Sequence, residues 1–99
     1  MAARDPRREL AETDLVFSAL ANASRRQILV VLGARGGRMT AGDIAARFDC
    51  SWPTTTRHLR RLETAGLVRV EHIGRERIYC LASDHLRAVV GRWLGWLES

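Results

Sequence analysis

Lysine is absent from this 99-residue chain: all 16 basic side chains are arginine, against 11 acidic ones, for a net charge of +5 and a sequence pI near 10.9. Arginine offers forked donors that suit phosphates and guanine edges, although a preference for arginine codons gives the same composition. Cysteine is scarce too. Cys50 and Cys80 are too few and too far apart for a disulfide framework. Long apolar runs are missing: "ILVVL" is the longest, far below the roughly 18 residues of a membrane span. No secretory signal or lipidation motif precedes the first helical pattern. These absences predict a cytoplasmic protein with no membrane partner. Catalytic patterns are lacking as well. There is no Ser/His/Asp arrangement or carboxylate pair, and "GARGG" lacks the Lys-Ser/Thr that completes a phosphate loop, so no enzyme is expected.

What is present is a concentration of positive charge. Residues 1–23 carry −1, residues 24–49 carry +3, residues 50–83 carry +3 and residues 84–99 carry none. A basic middle on so short a chain favours an anionic partner, nucleic acid above all. The length supports one domain with a modest core, which dimerisation would supplement.

The pattern along the chain predicts mainly helix. "MAARDPRRE" reads as a flexible arm over residues 1–9, and residues 10–99 as one domain. Leu10, Phe17 and Leu20 mark a first helix to about Ala21. A second, capped by Ser24, carries Ile28, Leu29 and Leu32 and stops at Gly33–Gly37. Thr40, with Asp43 three residues on, opens a third that buries Ile44, Ala45 and Phe48. Three residues, Asp49 to Ser51, then separate it from a helix capped by Ser51 with Pro53 in its first turn. That spacing is the turn of a helix-turn-helix.

In this fourth helix Thr55, Leu59 and Leu62 share the core face, while Pro53, Arg57, Arg60, Arg61 and Thr64 lie opposite, with Thr54 and Thr56 on the flanks. Three consecutive threonines are a poor start for a helix, costing on the order of half a kcal/mol each. They make sense at a helix end that must approach DNA closely and offer hydroxyls to it. Beyond Gly66 the period changes to two β-rich runs joined at Gly74, a hairpin with Arg75 at its tip and Arg77 just inside. A last helix, capped by Ser83, carries Leu86, Val90, Trp93 and Leu97, broadened by Val89, Leu94 and Trp96 to a stripe of roughly 160°.

Helix, helix, helix, turn, helix, hairpin, helix is the order of a winged helix-turn-helix. Residues 17–82 further resemble the ArsR family of bacterial repressors. "FSALANASRRQIL" is similar to the family's opening signature, "TAGDIAARF" to its first helix-turn-helix helix, and "SWPTTTRHLRRLETAGLVRVEHIGRERIYCL" to its recognition helix and wing. The resemblance implies a recognition helix in the major groove and a wing along the backbone or in the minor groove. Carried onto this sequence, it makes Trp52, Pro53, Thr54, Thr56 and Arg57 the base readers, and Arg60, Arg61, Arg75 and Arg77 the phosphate contacts. Trp52 departs from the small polar or Gln residue common there and could instead staple the helix to the core. Thr55 stands where Val is usual; its geometry makes it a core residue bonding a carbonyl one turn back. His58 and His72 read as structural.

Metal sensing in the family uses paired cysteines in the first helix-turn-helix helix or an Asp/His set in the last helix. Here "RMTAGDIA" offers neither thiolate nor imidazole, and Asp84 and His85 have no second ligand pair, so no metal and no cofactor are expected. Cys50 and Cys80 read as small hydrophobes kept reduced, with a thiol switch as the alternative. The wide apolar stripe predicts a homodimer through Leu86, Val89, Val90, Trp93, Trp96 and Leu97, joined by Leu10 and Phe17 as in the family. The expectation is a homodimeric, sequence-specific repressor binding double-stranded DNA at an inverted repeat, with its effector open. The competing reading is a winged-helix protein-interaction module without DNA readout.

Overall fold

The computed structural model describes residues 5–98. The elements run α1 (Pro6–Leu20), α2 (Ala23–Ala34), β1 (Arg38–Thr40), α3 (Ala41–Ala46), α4 (Trp52–Thr64), β2 (Val68–Ile73), β3 (Glu76–Leu81) and α5 (Ser83–Leu97). This is the expected winged helix-turn-helix order with one strand added.

Local chemistry explains most boundaries and corrects four. Helix α1 starts at Pro6, not Leu10. Asp5 accepts the Arg7 amide at 3.0 Å, and Pro6 takes a first-turn position that needs no amide hydrogen. Residues 6–9 of the expected arm are therefore helical, while residues 1–4 lie outside the described residues. Helix α2 is capped by Asn22 rather than Ser24, the Asn22 side chain accepting from the Arg25 amide at 3.1 Å. Helix α5 is not capped by Ser83. Its N-cap is Ala82, without a side-chain hydrogen bond. Ala82 is buried and donates its amide to the Leu67 carbonyl at 2.9 Å, so docking of the chain sets this helix start.

Thr40 caps α3 as anticipated, accepting the Asp43 amide at 3.1 Å. The link to α4 is longer than the three residues inferred from sequence. The Arg47 and Phe48 amides reach back only three residues, to Ile44 and Ala45, and the helix loosens into the segment 47–51.

Strand β1 completes a three-stranded antiparallel sheet in the order β1-β3-β2. It pairs Arg38 with Cys80, Met39 with Tyr79 and Thr40 with Ile78. Between β2 and β3 the last pair is Ile73 with Glu76, leaving Gly74 and Arg75 as a two-residue turn. Gly74 has φ +61°, as a first turn residue of the II′ kind requires, and the wing projects with Arg75 at its tip. The end of α4 is closed by Gly66 at φ +76°. Its amide donates to the Glu63 carbonyl at 2.9 Å and that of Leu67 to the Leu62 carbonyl at 3.0 Å, the paired bonds of a Schellman cap.

One core lies beneath these elements. Val16 and Ala19 of α1, Ile28, Leu29 and Leu32 of α2, Ile44 of α3, Leu59 and Leu62 of α4, Tyr79 of β3 and Val89 of α5 are buried together. Each leucine or isoleucine so buried contributes about 1.5–3 kcal/mol. This packing holds α4 rigid while its opposite face stays in solvent.

Candidate nucleic-acid interface

The start of α4 is built from its own side chains. The Ser51 hydroxyl oxygen accepts the Thr54 amide at 3.3 Å and lies 2.9 Å from the Thr54 hydroxyl. Thr55 is buried, and its hydroxyl donates to the Ser51 carbonyl at 3.1 Å, one turn back. With Leu59 and Leu62 it forms the core face inferred from sequence. Pro53, Arg57, Arg60 and Arg61 are exposed on the opposite face.

Two clefts flank that face, and the threonines part between them. On the wing side, Trp52 and Thr56 line a groove of about 410 Å³ with Arg75, Arg77 and Tyr79. Trp52 is 56% exposed, so it walls this groove and does not staple the helix to the core. On the other side, Thr54 and Arg57 line a cleft of about 420 Å³ with Arg25, His58 and Arg61.

The second cleft contains two residues that sequence reasoning did not assign to the site. Arg25 donates from Nε to the Ala19 carbonyl at 2.7 Å and from a terminal nitrogen to the Ser18 carbonyl at 3.2 Å. Its other terminal nitrogen lies 3.4 Å from His58 Nδ1. Arg61 donates to the Ser18 hydroxyl at 3.1 Å. Burial, then the Arg61 charge, lowers the Arg25 pKa. Burial, then Arg25 and Arg57, pushes the His58 pKa below its ordinary value and favours the neutral ring. Arg25 stands 33 positions before His58, so no local spacing could reveal the pair.

The terminal helices pack together at a distance from this face. Phe17 meets Trp93 edge to face with centroids 5.1 Å apart. Arg92 forms ion pairs with Glu9 at 3.8 Å and Glu12 at 3.6 Å. Of the expected interface residues, Val89 is a core residue, 1% exposed, and serves the chain's own fold. Leu86, Val90 and Trp93 are half-buried. Leu10, Phe17, Trp96 and Leu97 are exposed, as are Leu94, which the sequence placed in the stripe, and Leu15 of α1, which it did not.

Among the described residues no group of three or more His, Cys, Asp or Glu could hold a metal ion. Cys50 is half-buried and Cys80 buried, both as free thiols. No single described helix is long and apolar enough to cross a membrane.

A capped helix with a bare arginine face, presented beside an arginine-tipped hairpin, is the reading head of a winged helix-turn-helix DNA-binding protein. Residues 20–71 match the family described as a helix-turn-helix domain. The transcriptional repressor SdpR of Bacillus subtilis is 35% identical over 83 residues, 84% of this chain and 90% of that protein. The regulator KmtR of Mycobacterium tuberculosis is 35% identical over 75 residues, 76% of this chain but 56% of its own length. Among solved structures, a homodimeric winged helix-turn-helix DNA-binding domain of Mycobacterium bovis, described as a possible ArsR-family transcriptional regulator, aligns with TM-score 0.72 and 29% identity, covering 99% of this chain and 92% of that one. The chain belongs to the ArsR family of winged helix-turn-helix transcriptional regulators, which are DNA-binding proteins and not enzymes.

Proposed function

We propose that the protein is a cytoplasmic repressor that binds an inverted-repeat operator as a homodimer. Helix α4 lies in the major groove, with Trp52, Pro53, Thr54, Thr56 and Arg57 toward the bases. Arg60, Arg61, Arg75 and Arg77 hold phosphates. The observation that carries this reading is the exposed arginine face of α4 set beside the wing arginines, with Leu59 and Leu62 anchoring the helix from behind. The dimer forms through the exposed apolar residues of α1 and α5, chiefly Leu10, Phe17, Trp96 and Leu97. A twofold axis there would set two copies of α4 about 34 Å apart, one turn of DNA. Repression is proposed by likeness to the Bacillus subtilis relative.

The test is binding to the DNA upstream of the protein's own gene over a range of salt. Affinity should fall steeply as salt rises, because released counterions drive phosphate contacts. Weak, salt-insensitive binding would instead favour a protein-interaction module. Sedimentation at tens of micromolar should find a dimer, and a monomer there would remove the proposed interface.

A further inference from the structure

The cleft beside α4 gathers Arg25, Arg57 and Arg61 around His58 and Thr54, and no carboxylate lines it. Three guanidinium groups in one cleft repel one another, and the lowered pKa values of Arg25 and His58 register that crowding together with burial. Elsewhere the fold matches some of its cations with acids, as Arg38 with Glu71 at 2.8 Å and Arg92 with Glu9 and Glu12. Here the cations face an open cleft. Arg25 is also fixed in place: three of its five N–H groups are engaged, two by main-chain carbonyls at the end of α1 and one by His58. Arg61 is held by Ser18 of the same turn. Such pre-oriented donors suit a tetrahedral oxyanion, and Thr54 and Arg57 place the cleft at the reading end of α4.

We propose that Arg25, His58 and Arg61 form a seat for one backbone phosphate of the operator, next to the base-reading Arg57 at the mouth of the cleft. This rests on the DNA-binding reading above and adds two residues to it, Arg25 and His58. Because the last turn of α1 holds both Arg25 and Arg61, the seat is assembled by the helix that also carries Leu10 and Phe17.

The test compares the unmodified protein with Arg25→Gln and Arg61→Gln on an operator duplex and on random duplex. Circular dichroism and melting check that each variant is folded. Each substitution should weaken both duplexes and lower the salt slope by about 0.9 per seat, hence about 1.8 per dimer. In the unmodified protein, the His58 imidazole resonance should shift on adding duplex and stay put with millimolar inorganic phosphate. An unmoved His58 resonance at saturating duplex would overturn the seat, as would folded variants that keep the full salt slope, and in both cases DNA binding itself would stand. Saturation of the His58 shift by inorganic phosphate alone would make the occupant a small free anion and overturn the backbone assignment. If the unmodified protein binds neither duplex, the seat and the DNA-binding reading fall together. If Arg25→Gln does not fold, Arg61→Gln and the His58 resonance still decide.

Discussion

Helices α4 and α5 are alike in length, 13 and 15 residues, yet they spend their surfaces in opposite ways. Helix α4 buries Thr55, Leu59 and Leu62 and turns arginines outward. Helix α5 buries only Val89 fully and leaves Leu94, Trp96 and Leu97 in the open. An arginine face is comfortable in water and gains when it releases the cations condensed on a phosphate backbone. An apolar face costs roughly 25 cal/mol per Å² until something covers it. The contrast assigns different partners: an anionic polymer for α4, a second apolar surface for α5.

The contrast breaks most sharply at the buried side of α4. Leu62→Ala should cost about 2–5 kcal/mol of stability by urea unfolding, since Leu62 is fully buried. A loss below 1 kcal/mol would mean that α4 is not held from behind. By comparison, Leu97→Ala should change unfolding of the isolated subunit by no more than about 0.5 kcal/mol, the usual range for an exposed site.

The outward faces come next. Trp96→Ala combined with Leu97→Ala should weaken the dimer by about 2 kcal/mol or more, read by sedimentation, and reduce operator affinity along with it. If dimer and operator affinity are unaffected, α5 does not form the interface. On α4, Arg57→Ala should cost about 1–3 kcal/mol at the operator and relax specificity, whereas Arg75→Ala should weaken all sequences evenly. Equal losses of Arg57→Ala on operator and random duplex would remove Arg57 from base reading.

Much of this was legible in the sequence because it rests on local chemistry. The Ser51 cap, the core face of Thr55, Leu59 and Leu62, the hydroxyl bond of Thr55 and the Gly74 turn all follow from spacing and residue type. What escaped was tertiary. Strand β1 is three residues, too short for alternation to show, and exists because β3 offers it a free edge. Ser24 and Ser83 looked like caps because serine often is one. Asn22 and the docked Ala82 took those places. Trp52 is compatible by sequence with a staple or a reader, and its exposure removes only the staple. The Arg25–His58 contact joins α2 to α4 and leaves no periodic trace.

Two smaller effects sharpen the picture of the cleft and the thiols. His58 has a lowered pKa in the folded chain, so the unfolded chain binds its proton first as pH falls. Stability contributed by neutral His58 is therefore complete above about pH 6.5 and is lost as pH drops toward the lower folded value. The urea midpoint should decline through that window, and His58→Gln should flatten the decline. If the variant declines identically, His58 does not carry it. Micromolar zinc, cadmium or arsenite should leave the operator affinity of the reduced protein unchanged. Release from DNA that Cys50→Ser abolishes would make Cys50 a ligand.

The most direct test of the account is selection of duplexes from a random-sequence library by the unmodified protein. The account predicts enrichment of an inverted repeat whose half-sites lie about one DNA turn apart, 10 to 10.5 base pairs centre to centre. Recovery of DNA with no sequence preference, or of a lone half-site bound by a single chain, would contradict it.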